Sequence, residues 1–489
     1  MSATLRDSAR RYCRAIRDRV LELARIDLDG ALGLAAYYGA FLHRNHVGIY
    51  ADPELEQELI EAMDSRAIPG DPGQPKPGVL HLATEVYPWG GHTRVIERLV
   101  GAGLGDAVAS QSAIPAPVQA ALRDAARTIA PLRGPDHVET VRRIVSVGRQ
   151  YSAVILHIHP FDIASAVAAG ILARGGVRIL LYNHADHGFG FGFSSAEKIL
   201  ELSKYGWEKA GQRQIDGRQA YVGIPVASSS KVKRLDGSER RIMIAGASPK
   251  FRPFENANAA TFIETLIDRL DGDVQFDIVG PRGYERPFRD LGHRARRCVT
   301  YHGLLPHDRF MRLLAGCGTY VDSFPQGNGT GFVEALVSGA PCFGLDLLAG
   351  CSYADVLRSH TLEELVGRVL AFMKNPADTK NRFEEARTVV RAHQSPGVCA
   401  SRIRAVLDKG LAEPLPPQLD NARCMMDFYE RYWEASGTIV FATRTAASLS
   451  ASLRFWLLAQ ASRQLGRTEI AEWGKLALIC LAAAAIARK

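Results

Sequence analysis

The chain has 489 residues, with 60 Lys and Arg against 52 Asp and Glu, for a formal net charge of +8. Its 47% hydrophobic and 23% charged content is that of a globular protein with a sizeable core, so a disordered or fibrous chain is excluded. Lys/Arg runs interleaved with aromatics, the footprint of a nucleic-acid binder, are missing, and no stretch reaches the roughly 18 apolar residues of a membrane span.

In chain order, residues 1–66 read as helical. Leu5, Tyr12, Ile16, Val20 and Leu23 fall on one helical face with arginines elsewhere. A Pro/Gly-rich piece at 68–78 breaks the pattern and reads as a linker. Strand-like apolar runs at 79–83, 153–158 and 178–182 then alternate with amphipathic stretches such as 138–147 and 163–173. A second alternating block has strands near 241–246, 276–280, 299–302, 319–322 and 341–344, and helices at 361–409 close it. Pro414, Pro416 and Pro417 mark a break before a helical tail.

The predicted division is therefore 1–77, a helical extension and linker; 78–235 and 236–409, two α/β domains; and 410–489, a helical tail. Two doubly wound α/β blocks in succession imply two Rossmann-like domains facing each other. Eight cysteines are scattered without CxxC pairs, which reads as reduced thiols in a cytoplasmic setting. The N-terminus has no signal-like apolar block. The basic balance leaves room for a peripheral contact at the inner face of an anionic membrane.

Ligands of open parallel sheets bind beyond the carboxyl ends of strands, so the loops there carry the chemistry. After the first strand comes Tyr87-Pro88-Trp89-Gly90-Gly91-His92-Thr93-Arg94, a Gly-Gly turn with a cation in reach of a phosphate. His157 and His159 flank Ile158 at one strand end and point to one side of the sheet. The next strand ends in Asn183-His184-Ala185-Asp186-His187. These histidines fit three readings: imidazoles hydrogen-bonded within the sheet top, a base or sugar contact, or a metal site. A strand ending at Gly246 is followed by Lys250 and Arg252.

The segment 320–341 has a strand ending at Asp322, a small-residue loop, and a helix from about Gly329. Free N–H groups and the helix dipole at Gly329, Thr330 and Gly331 suit a phosphate, and the glycines let it approach. Glu334, just over a turn further on, is placed to accept hydrogen bonds from ribose hydroxyls. Two decoys fail on context. Gly101-Ala102-Gly103-Leu104-Gly105 follows a helix and not a strand, and Asp271-Gly272-Asp273 precedes a strand and reads as a turn.

Segment 320–341 resembles the donor-binding motif of GT-B glycosyltransferases, close to the O-GlcNAc transferase-like form. It is also similar to the second half of the paired-glutamate motif of retaining family 4 enzymes. In that family a first glutamate lies eight positions earlier, where this chain has Gln326, so the pair is incomplete and a retaining outcome does not follow. The resemblance spans about residues 78–409.

It implies an α/β GT-B fold with helical additions at both ends, and a hexosyltransferase-type enzyme of polysaccharide biosynthesis. The donor would be a UDP- or GDP-type sugar, and the acceptor a glycan, a lipid-linked glycan or a protein. No cofactor and no metal ion are implied. Lys250 would neutralise the leaving diphosphate, with Arg252 in reserve, and the Gly90-Gly91 loop and Arg94 would reach donor phosphates. Leu304 and its neighbours in 301–306 would line the base pocket. His159, the second histidine of a family His-x-His, would contact sugar or acceptor. His159, His184 and Asp186 are candidates for a base, with His92 behind them. The same fold also serves epimerases and phosphorylases, and a non-catalytic nucleotide-sugar scaffold is the third alternative.

Overall fold

The computed structural model describes residues 3–66, 76–88, 91–227, 240–327, 329–347 and 352–465. The first sheet comprises β1 (Lys76–Ala83), β2 (Ala107–Ser110), β3 (Arg127–Ile129), β4 (Tyr151–His157), β5 (Arg178–Tyr182), β6 (Lys198–Glu201) and β7 (Gln219–Tyr221). All neighbours are parallel, in the order β3-β2-β1-β4-β5-β6-β7. The second comprises β8 (Arg241–Ala245), β9 (Gln275–Val279), β10 (Val299–Gly303), β11 (Thr319–Asp322), β12 (Cys342–Leu345) and β13 (Arg358–Ser359), in the order β10-β9-β8-β11-β12-β13.

Each order reverses once, between β1 and β4 and between β8 and β11, and such a switch point opens a crevice at the strand ends. Register sets what stands there. Ala83 pairs with His157, and Ala245 with Asp322, so the loops after these four strands rise side by side.

The central strands form because their apolar runs are buried on both faces, as parallel sheets require. The helix Ile163–Arg174, capped by the Asp162 side chain on Ser165 N, is apolar all round. That follows from its place between the first sheet and the helix Pro53–Asp64. A Cβ at Gly170 would stand 2.3 Å from Ile60 Cδ1, so only glycine admits this approach.

The end segments join the first lobe. Helices Ala3–Ile26, Leu28–Arg44 and Pro53–Asp64 share one continuous core with β1, β4, β5 and the helix Ala451–Leu465. The helix Pro396–Lys409, expected to close the second block, instead packs Cys399, Ala400, Ile403 and Val406 against Ile155, Leu180, Leu200 and Ala220. The other face of the first sheet was still uncovered there, and this apolar stripe covers it. Among the described residues no helix is long and apolar enough to cross a membrane.

Candidate functional site

On the second lobe, the chain after β8 turns through Ser248–Phe251 and presents Lys250. Its Nζ donates to the Gly327 carbonyl at 3.1 Å, while Gln326 N donates to the Lys250 carbonyl at 3.3 Å. The ammonium is thereby fixed at the loop that feeds the helix Gly329–Val337, whose first turn is half-buried. Beside it opens a cavity of about 750 Å³ lined by Ala247, Ser248, Gly280, Arg282 and the segment Tyr301 to Leu304. Leu304 stands 72% exposed at its edge, an apolar surface for a planar ring. The chains after β8 and β9 nearly touch here. A Cβ at Gly280, whose φ is +109°, would lie 1.9 Å from the Gly246 carbonyl oxygen, so this wall must be glycine.

Arg252 is exposed and its guanidinium lies over the Tyr432 ring, 5.7 Å from the centroid. The structure thus turns the reserve cation toward the C-terminal segment. Arg94 is tied to Glu97 on its own helix and to the Pro88 carbonyl at 3.3 Å, so it does not reach across to the second lobe. Gly91 does. A Cβ there would meet Thr330 Oγ1 at 2.7 Å, which brings the first lobe's loop onto the first turn of the helix Gly329–Val337. Gly90 lies outside the described residues.

Glu334 is not on a solvent-facing helix surface. Its side chain is 7% exposed and pairs with Arg98 of the first lobe and with His307 Nε2 at 2.8 Å. Burial opposes its ionisation, but the His307 hydrogen bond and the Arg98 charge outweigh it and hold the carboxyl below the usual range. Arg98 also donates to the Pro225 carbonyl at 3.0 Å, so one guanidinium ties its own helix, the interlobe chain and the helix Gly329–Val337 together.

On the first lobe the histidines assemble as their strand ends dictate. His157 Nδ1 lies 2.8 Å from His184 Nε2, and His157 Nε2 lies 2.8 Å from His81 Nδ1. His81 Nε2 faces the Leu104 carbonyl at 2.9 Å. His92 packs on His184 with ring centroids 4.2 Å apart. Burial pushes His81 and His92 down to about 4, and His157 and His184 well below the ordinary imidazole value, so the group is neutral.

His159 stands apart from this chain. Its Nε2 is 3.3 Å from the Tyr87 hydroxyl, which donates to Glu85, and it lines a second cavity of about 580 Å³. Helix Leu28–Arg44 contributes Arg44 to that cavity, and the C-terminal segment contributes Arg444. Asp186 belongs to neither group. Its carboxylate accepts from Ser203 Oγ and faces His187 Nδ1 at 3.4 Å, so it fixes the following histidine and not His159 or His184.

Four participants escaped the sequence reading: Arg98, His307, His81 and Tyr429. Arg98 lies one turn after Arg94 on the same helical face, so spacing offered it, but only the facing of the lobes puts it on Glu334. Tyr429, in the tail helix Phe428–Ser436, accepts a hydrogen bond from Gln326 Nε2 at 2.8 Å, and Tyr432 donates to the Pro249 carbonyl at 2.8 Å. The C-terminal segment therefore braces the loops after β8 and β11, and no local motif announces it.

No family model matches the sequence, and neither does any curated protein. Solved structures match in fold. The chain is similar to Anabaena Alr3699/HepE, in complex with UDP and glucose, at a TM-score of 0.50 and 15% identity, over 68% of this chain and 99% of that one. It is similar to a point mutant of the O-GlcNAc transferase of Thermobaculum terrenum at a TM-score of 0.54 and 13% identity, over 85% of this chain and 82% of that one. The fold is GT-B: two Rossmann-like parallel sheets, here with helices added at both ends.

Proposed function

We propose that this chain is a glycosyltransferase that moves a hexosyl group from a UDP- or GDP-type sugar to a glycan, lipid-linked or protein acceptor. One observation carries the reading. Lys250 and the loop that leads into the helix Gly329–Val337 meet at the β8/β11 switch point, beside a cavity of about 750 Å³. A diphosphate laid on that helix end finds backbone N–H donors and an ammonium, and the base extends into the cavity against the backbone of 301–304 and Leu304. UDP is the ligand bound by the Anabaena protein of the same fold.

In the reaction the acceptor oxygen bonds the anomeric carbon, and the bond from that carbon to the diphosphate breaks, its electron pair passing to the phosphate. Lys250 and the helix end meet that charge without a metal ion at the diphosphate. The acceptor proton passes to an imidazole. His159 is the candidate, because it faces the cavity on the acceptor side while His184 is engaged by His157. Glu334 holds the ribose once the donor draws it away from Arg98.

Thermal-shift screening with UDP, GDP and other nucleoside diphosphates tests the reading. One of them should raise the melting temperature by several degrees, since a ligand bound only by the folded state stabilises by mass action. If none moves the transition at millimolar concentration, the donor site is wrong.

A further inference from the structure

The tautomers of the buried histidines follow from one carbonyl. The Leu104 oxygen can only accept, so His81 carries its proton on Nε2 and offers a lone pair at Nδ1. His157 therefore donates from Nε2 to His81, and its own Nδ1 is a lone pair. The loop that supplies this carbonyl is the glycine-rich 101–105 turn that fits no dinucleotide site. Gly105, at φ +112°, lies against the His81 ring, where a Cβ would come within 2.4 Å of Cδ2. His92 packs on His184, and its buried Nε2 has no hydrogen-bond partner. One nitrogen from each of His92, His157 and His184 lies within 4.8 Å of the others.

We propose that His92 Nε2, His157 Nδ1 and His184 Nε2 form a binding site for a first-row divalent cation of the zinc type. Three features of the chemistry meet here. Neutral imidazoles are the right donors for zinc, copper, nickel or cobalt. His157, the ligand whose tautomer is assigned, turns its other ring nitrogen to His81, which is the outer-shell pattern that orients ligating histidines. Three imidazoles leave the fourth tetrahedral position open, and two of the three residues, His92 and His184, are only half-buried.

Without an ion, the His184 Nε2 proton bridges to His157 Nδ1 at 2.8 Å. Nitrogens sharing a tetrahedral ion at about 2.0–2.1 Å stand roughly 3.3 Å apart. Entry of the ion therefore widens this pair by about half an ångström and moves the proton to His184 Nδ1, leaving the imidazole neutral. The open position takes water or an acceptor oxygen. This departs from the expectation that the cleft needs no metal, yet it leaves the diphosphate to Lys250.

The test uses the full chain stripped with a strong chelator and titrated with cobalt(II) or zinc(II) alone. About one ion per chain should bind, with the intense visible bands of tetrahedral cobalt. His92→Ala and His184→Ala, both at the half-buried rim, should weaken binding more than about 100-fold, beyond the loss typical of an outer-shell change. His293→Ala, an exposed histidine, should not change it. Circular dichroism confirms that the rim variants are folded, and neither variant replaces fully buried His157. Sub-stoichiometric uptake, octahedral cobalt spectra, or equal affinity in His92→Ala would overturn the site. Because the readout is metal binding, failure here leaves the nucleotide thermal shift untouched, and failure of that shift leaves this site standing.

Discussion

Replacing Glu334 by Ala should destabilise the protein and not merely weaken donor binding. The carboxylate is 7% exposed and the Arg98 side chain 9%, so the variant leaves a buried guanidinium without its partner. Removing one member of a buried pair costs about 3–5 kcal/mol, whereas His307, a third exposed, is resolvated at little cost. Chemical denaturation at pH 7 reads this as a lower midpoint. Arg98→Met should cost a similar amount, and adding it to Glu334→Ala should restore much of the loss, since the double variant buries no unpaired charge. The pH dependence has a fixed sign. A carboxyl held below its unfolded value stabilises the fold above that value and loses the contribution as pH falls, so the gap between parent and Glu334→Gln should close below about pH 4. Arg98→Met also frees Glu334 for ribose, so nucleotide affinity should rise in that variant and fall in Glu334→Gln, as titration calorimetry will show. A Glu334→Ala protein with the parental midpoint would refute the interlobe pairing.

Lys250→Ala should lower turnover by about 10²–10³ while a thermal melt stays close to the parent, because the role proposed for it is to meet charge on the leaving phosphate; unchanged kinetics would remove it from the site. His159→Ala should cut transfer by about 10²–10⁴ with nucleotide affinity preserved; parental transfer rates would eliminate it as the base. Glu56, buried under Ser194 and pushed up to about 7 by burial, should make Glu56→Gln more stable than the parent at pH 8 by roughly 3 kcal/mol, with the gain fading as pH falls toward 4.5. Melting curves across that range would contradict the assignment if the two proteins stayed parallel.

The strands that the sequence makes readable are those buried on both faces, since a run such as Val154–Leu156 has no other explanation than a central parallel strand. Short β2, β3, β6, β7 and β13 carry two to four residues each and borrow their order from neighbours, so periodicity has nothing to register. The helix Pro396–Lys409 shows a different limit. Its apolar stripe is plain in the sequence, but a stripe says that something is covered and not what, and the uncovered face of the first sheet lay far away along the chain.

The site divides along the same line. Loops at strand ends were placed by topology alone, which is why Lys250, Gly91 and the helix at Gly329 converge where the sequence puts them. What each carboxylate or imidazole does there was decided by partners from remote segments. Glu334 looks like a free ribose contact until Arg98 arrives from the other lobe, and Asp186 looks like a base until Ser203 takes it. The histidines show the rule most sharply. Their clustering is legible from His157, His159 and His184 at strand ends, but the proton positions descend from Leu104, in a turn that a motif search would discard. A backbone oxygen remote along the chain from His157 thus determines which imidazole nitrogens are bare. Chemistry of this kind becomes readable only after the fold has put donors and acceptors in order.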